Sequence, residues 1–134
     1  MKLLEGKTAI VTGAARGIGE AIAIKLAEHG ANVAFSFVSD SSAEKASALE
    51  SKLSAMGVKA KAYKSNAADY AACEGFVNDV LKEFGAVDIC VNNAGISKDN
   101  LLLRMTPEQW NDVIQVNLTS VFNMTKQVIR PMMK

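Results

Sequence analysis

The sequence predicts an α/β fold in which a doubly wound parallel sheet carries helices on both faces. Short apolar runs of strand length alternate along the chain with longer stretches whose apolar residues recur every three or four positions. The connections between them are short, and no linker, repeat or low-complexity segment interrupts them. This alternation is typical of βαβ units, whose strands pair in parallel. The expected sheet is incomplete and has the strand order 3-2-1-4.

Length and composition restrict the class of protein. The 134 residues are 49% hydrophobic, and 15 basic against 14 acidic side chains leave a net charge of +1. This balance excludes intrinsic disorder and predicts no attraction to nucleic acid or to an anionic membrane. The chain begins without a signal peptide and contains no membrane-spanning run, so a soluble, cytoplasmic, single-domain protein is expected. Cys73 and Cys90 lack metal-ligand spacing, which predicts reduced core thiols and no metal site.

Four strands are expected from short apolar runs that end at glycine or polar residues. They lie at 8–12, 33–38, within 58–64 and at 87–91. Runs without alternating polar residues are typical of strands buried on both faces. The fourth strand has the first strand as its one neighbour in the expected order. A chain that ends at residue 134 would leave this sheet edge bare and is expected to aggregate.

Three helices between the strands are expected from apolar spacing and end signals. They lie at 17–28, between Ser41 and Gly57, and at 70–84. Ser41 and Glu44 predict a capping box for the second helix, and Asp69 predicts the N-cap of the third.

A fourth helix is expected from Pro107 toward residue 129. Thr106 and Gln109 predict a capping box around this proline, and Pro131 indicates a kink or an end. A broad apolar stripe consists of Trp110, Val113, Ile114, Leu118, Val121, Phe122, Val128 and Ile129. A second stripe, which leaves apolar surface beyond one face, consists of Val116, Met124 and Met133.

A glycine-rich segment, Thr12-Gly13-Ala14-Ala15-Arg16-Gly17-Ile18-Gly19, joins the first strand to the first helix. Gly13 permits a sharp turn, Gly17 permits close approach to a pyrophosphate, and Gly19 permits close packing of the helix on the sheet. The amides at the helix N-terminus then face the phosphates. The alternative is that the glycines serve a tight turn alone. No Lys-Ser or Lys-Thr follows at the required place, which excludes a nucleotide triphosphatase loop.

The spacing Gly-x-x-x-Gly-x-Gly after Thr12 resembles the cofactor loop of the short-chain dehydrogenase/reductase family. The family's second signature matches Asn92-Asn93-Ala94-Gly95, and its helix asparagine matches Asn117. The resemblance implies a Rossmann-like fold, a nicotinamide cofactor and oxidoreductase activity. Within the family, residues 87–134 are most similar to bacterial 3-oxoacyl-(acyl carrier protein) reductases of fatty-acid synthesis. That likeness implies NADPH-dependent reduction of a carrier-linked 3-oxoacyl thioester to the 3-hydroxyacyl form.

The resemblance also implies which residues bind the cofactor. Asn66 and Ala67 after the third strand are expected against the adenine. Asn93, Ala94 and Gly95 are expected against the ribose and nicotinamide, although asparagines at this strand end also suit a turn. The first loop is expected to contribute Thr12, Gly13, Ala15, Arg16, Gly17, Ile18 and Gly19.

The second strand predicts which nicotinamide cofactor is used. An enzyme that prefers NAD has an acid at the end of this strand for the ribose 2′-hydroxyl. In the family pattern that position is Phe37, next to Val38, and Arg16 resembles the basic residue that many NADP-using members place beside the 2′-phosphate. NADP (NADPH) is therefore expected and NAD is disfavoured. Asp40, three residues beyond Phe37, keeps NAD open, and Arg16 as a solvated loop charge is the alternative to a phosphate ligand.

Asn117 is expected on the buried side of the last helix, where an unpaired amide is costly. The resemblance implies a catalytic role, in which Asn117 helps hold a water in the proton relay behind the catalytic lysine. The alternative is a core polar group that bonds neighbouring backbone. In the family this helix, here 107–130, packs against its copy in another subunit, which implies a homo-oligomer.

The family's reaction needs a serine and a Tyr-x-x-x-Lys motif that this chain does not match. The residue four positions after Tyr63 is Ala67, and the residue four positions after Tyr70 is Glu74. Residues 1–134 are therefore expected to be the N-terminal dinucleotide-binding part of a larger domain, active in the parent and inactive alone. A relative that acts on another alcohol or sugar, and a non-catalytic nucleotide-binding module, stay open as alternatives.

Overall fold

The apolar runs form a four-stranded sheet in a computed structural model that describes residues 2–134. The strands are β1 (Thr8–Val11), β2 (Asn32–Phe37), β3 (Ala60–Lys64) and β4 (Ile89–Val91). The α-helices are α1 (Gly17–Glu28), α2 (Ala43–Ser54), α3 (Tyr70–Phe84), α4 (Pro107–Ile114) and α5 (Ser120–Met133). A π-helical segment, Gln115–Thr119, joins α4 to α5, and 3-10 turns lie at Asp40–Ser42 and Leu102–Arg104.

The strand order β3-β2-β1-β4 and the parallel pairing confirm the predicted topology. Val11 lies opposite Phe35 on β2 and opposite Val91 on β4, and Phe37 lies opposite Lys64. Because all four strands run in the same direction, their carboxyl ends meet at one edge of the sheet, where ligands of such sheets bind. Every loop that carries a predicted site residue leaves the sheet at this edge.

The strand alternation separates two apolar cores. Ile10 and Ala34 point to one face, where α3 and α5 cover them, while Val11 and Phe35 point to the other face beneath α1 and α2. All four residues of β1 are buried, as expected for a strand covered on both faces. The residues of the edge strand β4 are half-buried.

Two of the predicted helix caps form and one does not. The Asp69 carboxylate accepts from the amide of Ala72 at 3.1 Å, and Thr106 and Gln109 form the full capping box. The predicted capping box of Ser41 and Glu44 is wrong. Ser41 lies within the 3-10 turn that precedes α2, and its hydroxyl is 2.9 Å from that of Ser39. The serine side chain thus pairs with a nearer hydroxyl instead of the helix amides.

The last helix differs from the single regular helix that the sequence predicts, because Gln115–Thr119 adopts the wider π-helical turn. Each residue inserted into a helix rotates the residues after it by about 100° around the axis. Met124, predicted on the outer stripe, is fully buried, whereas Leu118 and Phe122 of the predicted core stripe are 63% and 60% exposed. Pro131 does not end the helix, which continues to Met133. Within residues 2–134, none of the helices combines the length and apolarity needed to cross a membrane.

Candidate functional site

The glycine segment leaves β1 at the carboxyl edge of the sheet and is fixed to β2. Gly13 and Gly17 have φ angles of +66° and +63°, in the left-handed region that favours glycine. The amide of Gly13 donates to the hydroxyl of Ser36 at 3.2 Å, and the amide of Ala14 donates to the carbonyl of Ser36 at 3.1 Å. A Cβ on Gly19 would lie 2.7 Å from the carbonyl oxygen of Gly13 and therefore has no room. The predicted close packing of α1 is confirmed.

The N-termini of α1 and α2 have no side-chain cap, in contrast to those of α3 and α4. The N-cap of α1, Arg16, is extended and exposed, and Ile18 in the first turn is 74% exposed. A Cβ added to Gly17 would meet no atom within 4 Å, so the space in front of the turn is open. The first amides of a helix need acceptors from outside the helix, and an uncapped, open N-terminus favours an anion.

Thr12 and Asn93 join the loop after β1 to the loop after β4. The Thr12 hydroxyl accepts from the amides of Asn93 and Ala94, both at 3.0 Å. The Nδ2 of Asn93 donates to the carbonyl of Thr12 at 3.1 Å and to the carbonyl of Gly13 at 3.0 Å. Thr12 is 1% exposed, so these bonds lie away from solvent. The Asn93 side chain thus has the turn-stabilising role that its position suggested, whereas its contact with a ribose stays a prediction.

A cleft of about 560 Å³ brings three of the predicted site residues together: Arg16, Gly95 and Asn117 line it with Ile96 and Ser97. The Asn117 side-chain oxygen accepts from the amide of Ile96 at 2.7 Å, and its Nδ2 donates to the carbonyl of Ile96 at 2.9 Å. Asn117 is exposed, so the expectation of a buried position is wrong. The π-helical segment that contains it turns the side chain toward the loop after β4.

The loop after β3 is held by two side chains that lie on either side of Asn117 in the same helical region. The buried Asn123 donates to the carbonyl of Ala67 at 3.0 Å, and Gln115 donates to the carbonyl of Ala68 at 2.8 Å. Asn66 is exposed, and its side-chain oxygen accepts from the amide of Ala68 at 2.9 Å, as in an Asx turn. Ala67 is buried, and neither residue lines the cleft around Asn117.

Three residues that support these loops were missed by the sequence analysis: Ser36, Gln115 and Asn123. Ser36 interrupts an otherwise apolar strand, and this interruption could have found it, because a buried polar side chain requires a partner. Gln115 and Asn123 lie in helical segments with several other polar residues, so the sequence offers no comparable signal for them.

The end of β2 presents no carboxylate at Phe37, the position predicted to discriminate between cofactors. Phe37 is half-buried and Val38 is 51% exposed. The Asp40 carboxylate, in the following turn, lies 2.6 Å from the Nζ of Lys64. A hydrogen bond to Lys64, and then its positive charge, hold the pKa of Asp40 below its usual value, so this carboxylate is ionised and paired at neutral pH.

The buried phenol and thiol groups are not poised for catalysis. Burial, reinforced by Glu83 and two further acids, raises the pKa of Tyr63 to about 12. Burial likewise raises the pKa values of Cys73 and Cys90 to about 11. All three groups are therefore protonated at neutral pH, and none is an activated base or nucleophile. Residues 2–134 also contain no group of acidic, histidine or cysteine side chains arranged for a metal ion.

Comparison with known proteins identifies relatives over nearly the whole chain. The 3-oxoacyl-(acyl-carrier-protein) reductase FabG of Escherichia coli strain K12 is 48% identical over 130 residues, which are 97% of this chain and 51% of that protein. The reductase of the same name from Staphylococcus aureus strain Mu50 is 44% identical over 128 residues, 96% of this chain and 51% of that protein. The chain thus spans about half the length of the curated relatives it matches.

Solved structures show the same likeness. A blue fluorescent protein from a metagenomic library, in complex with NADPH, is 38% identical with a TM-score of 0.92, and the match covers 96% of this chain and 52% of that one. A short chain dehydrogenase from Burkholderia cenocepacia J2315, in complex with NADP, is 39% identical with a TM-score of 0.91, over 96% and 51% of the two chains. A family model for short chain dehydrogenases matches residues 7–134. The chain therefore belongs to the short-chain dehydrogenase/reductase family.

Proposed function

We propose that this chain is the N-terminal dinucleotide-binding half of a cytoplasmic reductase that uses NADPH to reduce a 3-oxoacyl thioester carried on acyl carrier protein. The observation that carries the cofactor assignment is the uncapped and open N-terminus of α1 behind Gly17. The substrate assignment is supported by 44–48% identity to relatives named as reductases of such thioesters. The complete protein forms the 3-hydroxyacyl product, and residues 1–134 alone are inactive.

The residues present fit a dinucleotide. The space in front of Gly17, and the helix amides that no side chain caps, suit the pyrophosphate. When bound, the nicotinamide supplies the hydride. Phe37 and Val38 would hold the adenosine ribose, and Asn66 and Ala67 would hold the adenine. The remaining contacts come from the two loops joined by Thr12 and Asn93, through Gly13, Ala15, Arg16, Ile18, Gly19, Ala94 and Gly95.

The preference for NADPH rests on the charges around the end of β2. Phe37 offers no acceptor to a ribose 2′-hydroxyl, and the nearby Asp40 is already paired with Lys64. The exposed guanidinium of Arg16 can bond a 2′-phosphate through two N–H groups. NAD is the weaker ligand, because its 2′-hydroxyl finds no free carboxylate at this strand end.

Phe37→Asp in the complete protein tests this preference. The new carboxylate accepts from a 2′-hydroxyl and repels a 2′-phosphate, so the ratio of kcat/KM for NADPH to that for NADH should fall about tenfold or more. Phe37→Leu, which removes the ring without adding charge, is the matched control and should keep the wild-type ratio. An unchanged ratio in Phe37→Asp would contradict the assignment of this position.

Asn117 is proposed to contribute to catalysis in the complete protein by holding a water of the proton relay. Its two bonds to Ile96 use one lone pair of the side-chain oxygen and one hydrogen of Nδ2. A second lone pair and a second hydrogen are left for that water. Its place in the cleft with Gly95, at the carboxyl edge of the sheet, supports this role.

The reaction itself is tested with an acetoacetyl thioester. The complete protein should consume NADPH and form the 3-hydroxy product, while residues 1–134 should show no turnover because they lack the Tyr-x-x-x-Lys motif. No turnover by the complete protein, together with oxidation of a sugar or polyol, would favour a different substrate class within the family. Nucleotide binding without any turnover would favour a non-catalytic module.

We also propose that the complete protein is a homo-oligomer through the helical region 107–130. Leu118, Phe122 and Ile129 are each at least half exposed on α5 and the π-helical segment before it. They line a shallow apolar groove of about 660 Å³ together with Val121. A contiguous apolar surface of this kind favours a protein–protein contact.

A further inference from the structure

Two opposite charges meet where β2 and β3 end. Lys64 is the last residue of β3 and lies in register with Phe37, the last residue of β2. Asp40 follows in the 3-10 turn after β2. The Nζ of Lys64 lies 2.6 Å from the Oδ1 of Asp40, and both side chains are exposed, at 55% and 90%. The ion pair therefore bridges the two strand ends at the place where the proposed function puts the adenosine ribose.

Asp40 is the one carboxylate that this part of the chain can offer to a ribose. It is the only acidic residue between Glu28 and Glu44. The hydroxyl of Ser39, beside it, bonds those of Ser41 at 2.9 Å and Ser42 at 3.1 Å, while the Asp40 carboxylate bonds Lys64. The orientation and charge of this carboxylate thus depend on a lysine from the neighbouring strand.

We propose that Lys64 is a positioning residue for cofactor selectivity, which holds and neutralises Asp40 so that the ribose meets a neutral ion pair instead of a free carboxylate. This inference rests on the proposed preference for NADPH. A free carboxylate accepts a hydrogen bond from a 2′-hydroxyl and repels a 2′-phosphate, whereas a carboxylate paired with an ammonium group does neither strongly. The selectivity expected from Phe37 and Arg16 is therefore maintained by a third residue outside the family motifs.

Removing either partner should change the selectivity in opposite directions. Lys64→Met frees the negative charge of Asp40, so the affinity for NADPH relative to NADH should fall about three- to tenfold. Asp40→Asn frees the positive charge of Lys64, so the same ratio should rise by about two- to fivefold. A purely structural role of the ion pair predicts a different pattern, because both substitutions break the same contact and would move both affinities in the same direction.

Two further variants complete the design. Lys25→Met removes one positive charge and one exposed ion pair, Lys25–Glu28 at 3.5 Å near the end of α1, and should leave the ratio unchanged. The double variant Lys64→Met/Asp40→Asn contains neither charge and should return close to the wild-type ratio. This return would show that the two opposite charges offset each other at the ribose, as expected of a neutral ion pair.

The experiment is a fluorescence titration of the complete protein with NADPH and with NADH, at one fixed salt concentration because exposed charges are screened. The inference predicts opposite shifts for the single variants and recovery in the double variant. A wild-type protein that binds NADH more tightly would overturn the proposed cofactor preference. A wild-type protein that prefers NADPH, with both single variants unchanged or shifted in the same direction, would overturn the role of Lys64 and leave the proposed function intact.

Discussion

The regions on either side of β1 contain similar apolar residues but bury them to different extents. Toward β2, Val33 and Phe35 are fully buried beneath Ala23 and Ala27 of α1 and the apolar face of α2. Toward β4, the strand is half-buried, and α5 leaves Phe122 more than half exposed. We call these the closed region, residues 8–54, and the open region, residues 89–133.

This difference shows what apolar periodicity does and does not determine. It determines that a strand or a helix forms, because an amphipathic segment can bury its apolar face only in a regular conformation. It does not determine what covers that face. The open region leaves several large apolar side chains exposed, and a contiguous apolar surface favours a protein–protein contact. Substitutions in the two regions should therefore have different consequences.

The largest effect is expected from Gly19→Ala in the closed region. The added methyl would lie 2.7 Å from the carbonyl oxygen of Gly13 and 2.9 Å from the Cα of Ala14, so the loop must move. Overpacking of this kind costs about 1–3 kcal/mol of unfolding free energy, and the distorted loop should also lose its affinity for NADPH. Urea unfolding and a nucleotide titration measure the two effects.

Gly75→Ala is the matched control in the middle of α3, where an added Cβ meets nothing within 4 Å. Alanine is the better helix former, so this variant should be more stable by about 0.5–1 kcal/mol. Equal unfolding free energies for the two variants would contradict the close packing of α1 on the loop.

Thr12→Val should have the next largest effect. The valine has nearly the same shape but no hydroxyl, which leaves the amide of Ala94 without its acceptor, while the amide of Asn93 keeps its bond to the carbonyl of Val91 at 3.1 Å. One unpaired, partly buried amide should cost about 1–2 kcal/mol of unfolding free energy. Thr12→Ser keeps the acceptor and should cost less. If the valine and serine variants unfold at the same urea concentration, the hydroxyl does not join the two loops.

The smallest effect on folding is expected from Phe122→Ser in the open region. Because this ring is 60% exposed, the unfolding free energy of the monomer should change by less than about 0.5 kcal/mol. The same substitution should weaken self-association of the complete protein, measured by sedimentation velocity. Lys82→Ser, at an exposed position of α3 outside the groove, is the control and should leave association unchanged. If Phe122→Ser instead caused a large loss of monomer stability and left association unaltered, the ring would belong to the folded core, and the description of this region as open would be wrong.

Most features that depend on neighbouring residues in the chain were predicted correctly: the close packing at the glycine loop and the caps at Asp69 and Thr106 are confirmed, whereas the capping box of Ser41 and Glu44 is not. The strand order, which joins distant segments, is also confirmed, because the alternation of strands and helices restricts it. The π-helical segment was not predictable, because the bonds of Gln115 and Asn117 reach Ala68 and Ile96, which are distant in the chain. Asn117 lies within that segment and is exposed, so a regular helical period placed it on the wrong side. The burial of Met124 is consistent with regular spacing, because Met124 lies one turn before the buried Val128 of the predicted core stripe.

The nucleotide contacts of the individual residues stay predictions. Their positions at one edge of a parallel sheet follow from topology, but the preference between NADPH and NADH depends on charges within a few ångströms of the ribose. The Asp40–Lys64 pair illustrates the point, since its partners come from different strands and share no sequence motif.

Isothermal titration of the complete protein with NADPH and with NADH tests the central claim most directly. An open, uncapped helix N-terminus beside Arg16, without a free carboxylate at the end of β2, predicts binding of both dinucleotides through the pyrophosphate and tighter binding of NADPH. Absence of binding by either dinucleotide would contradict the assignment of the glycine loop as a pyrophosphate site, and tighter binding of NADH would contradict the assignment of the cofactor.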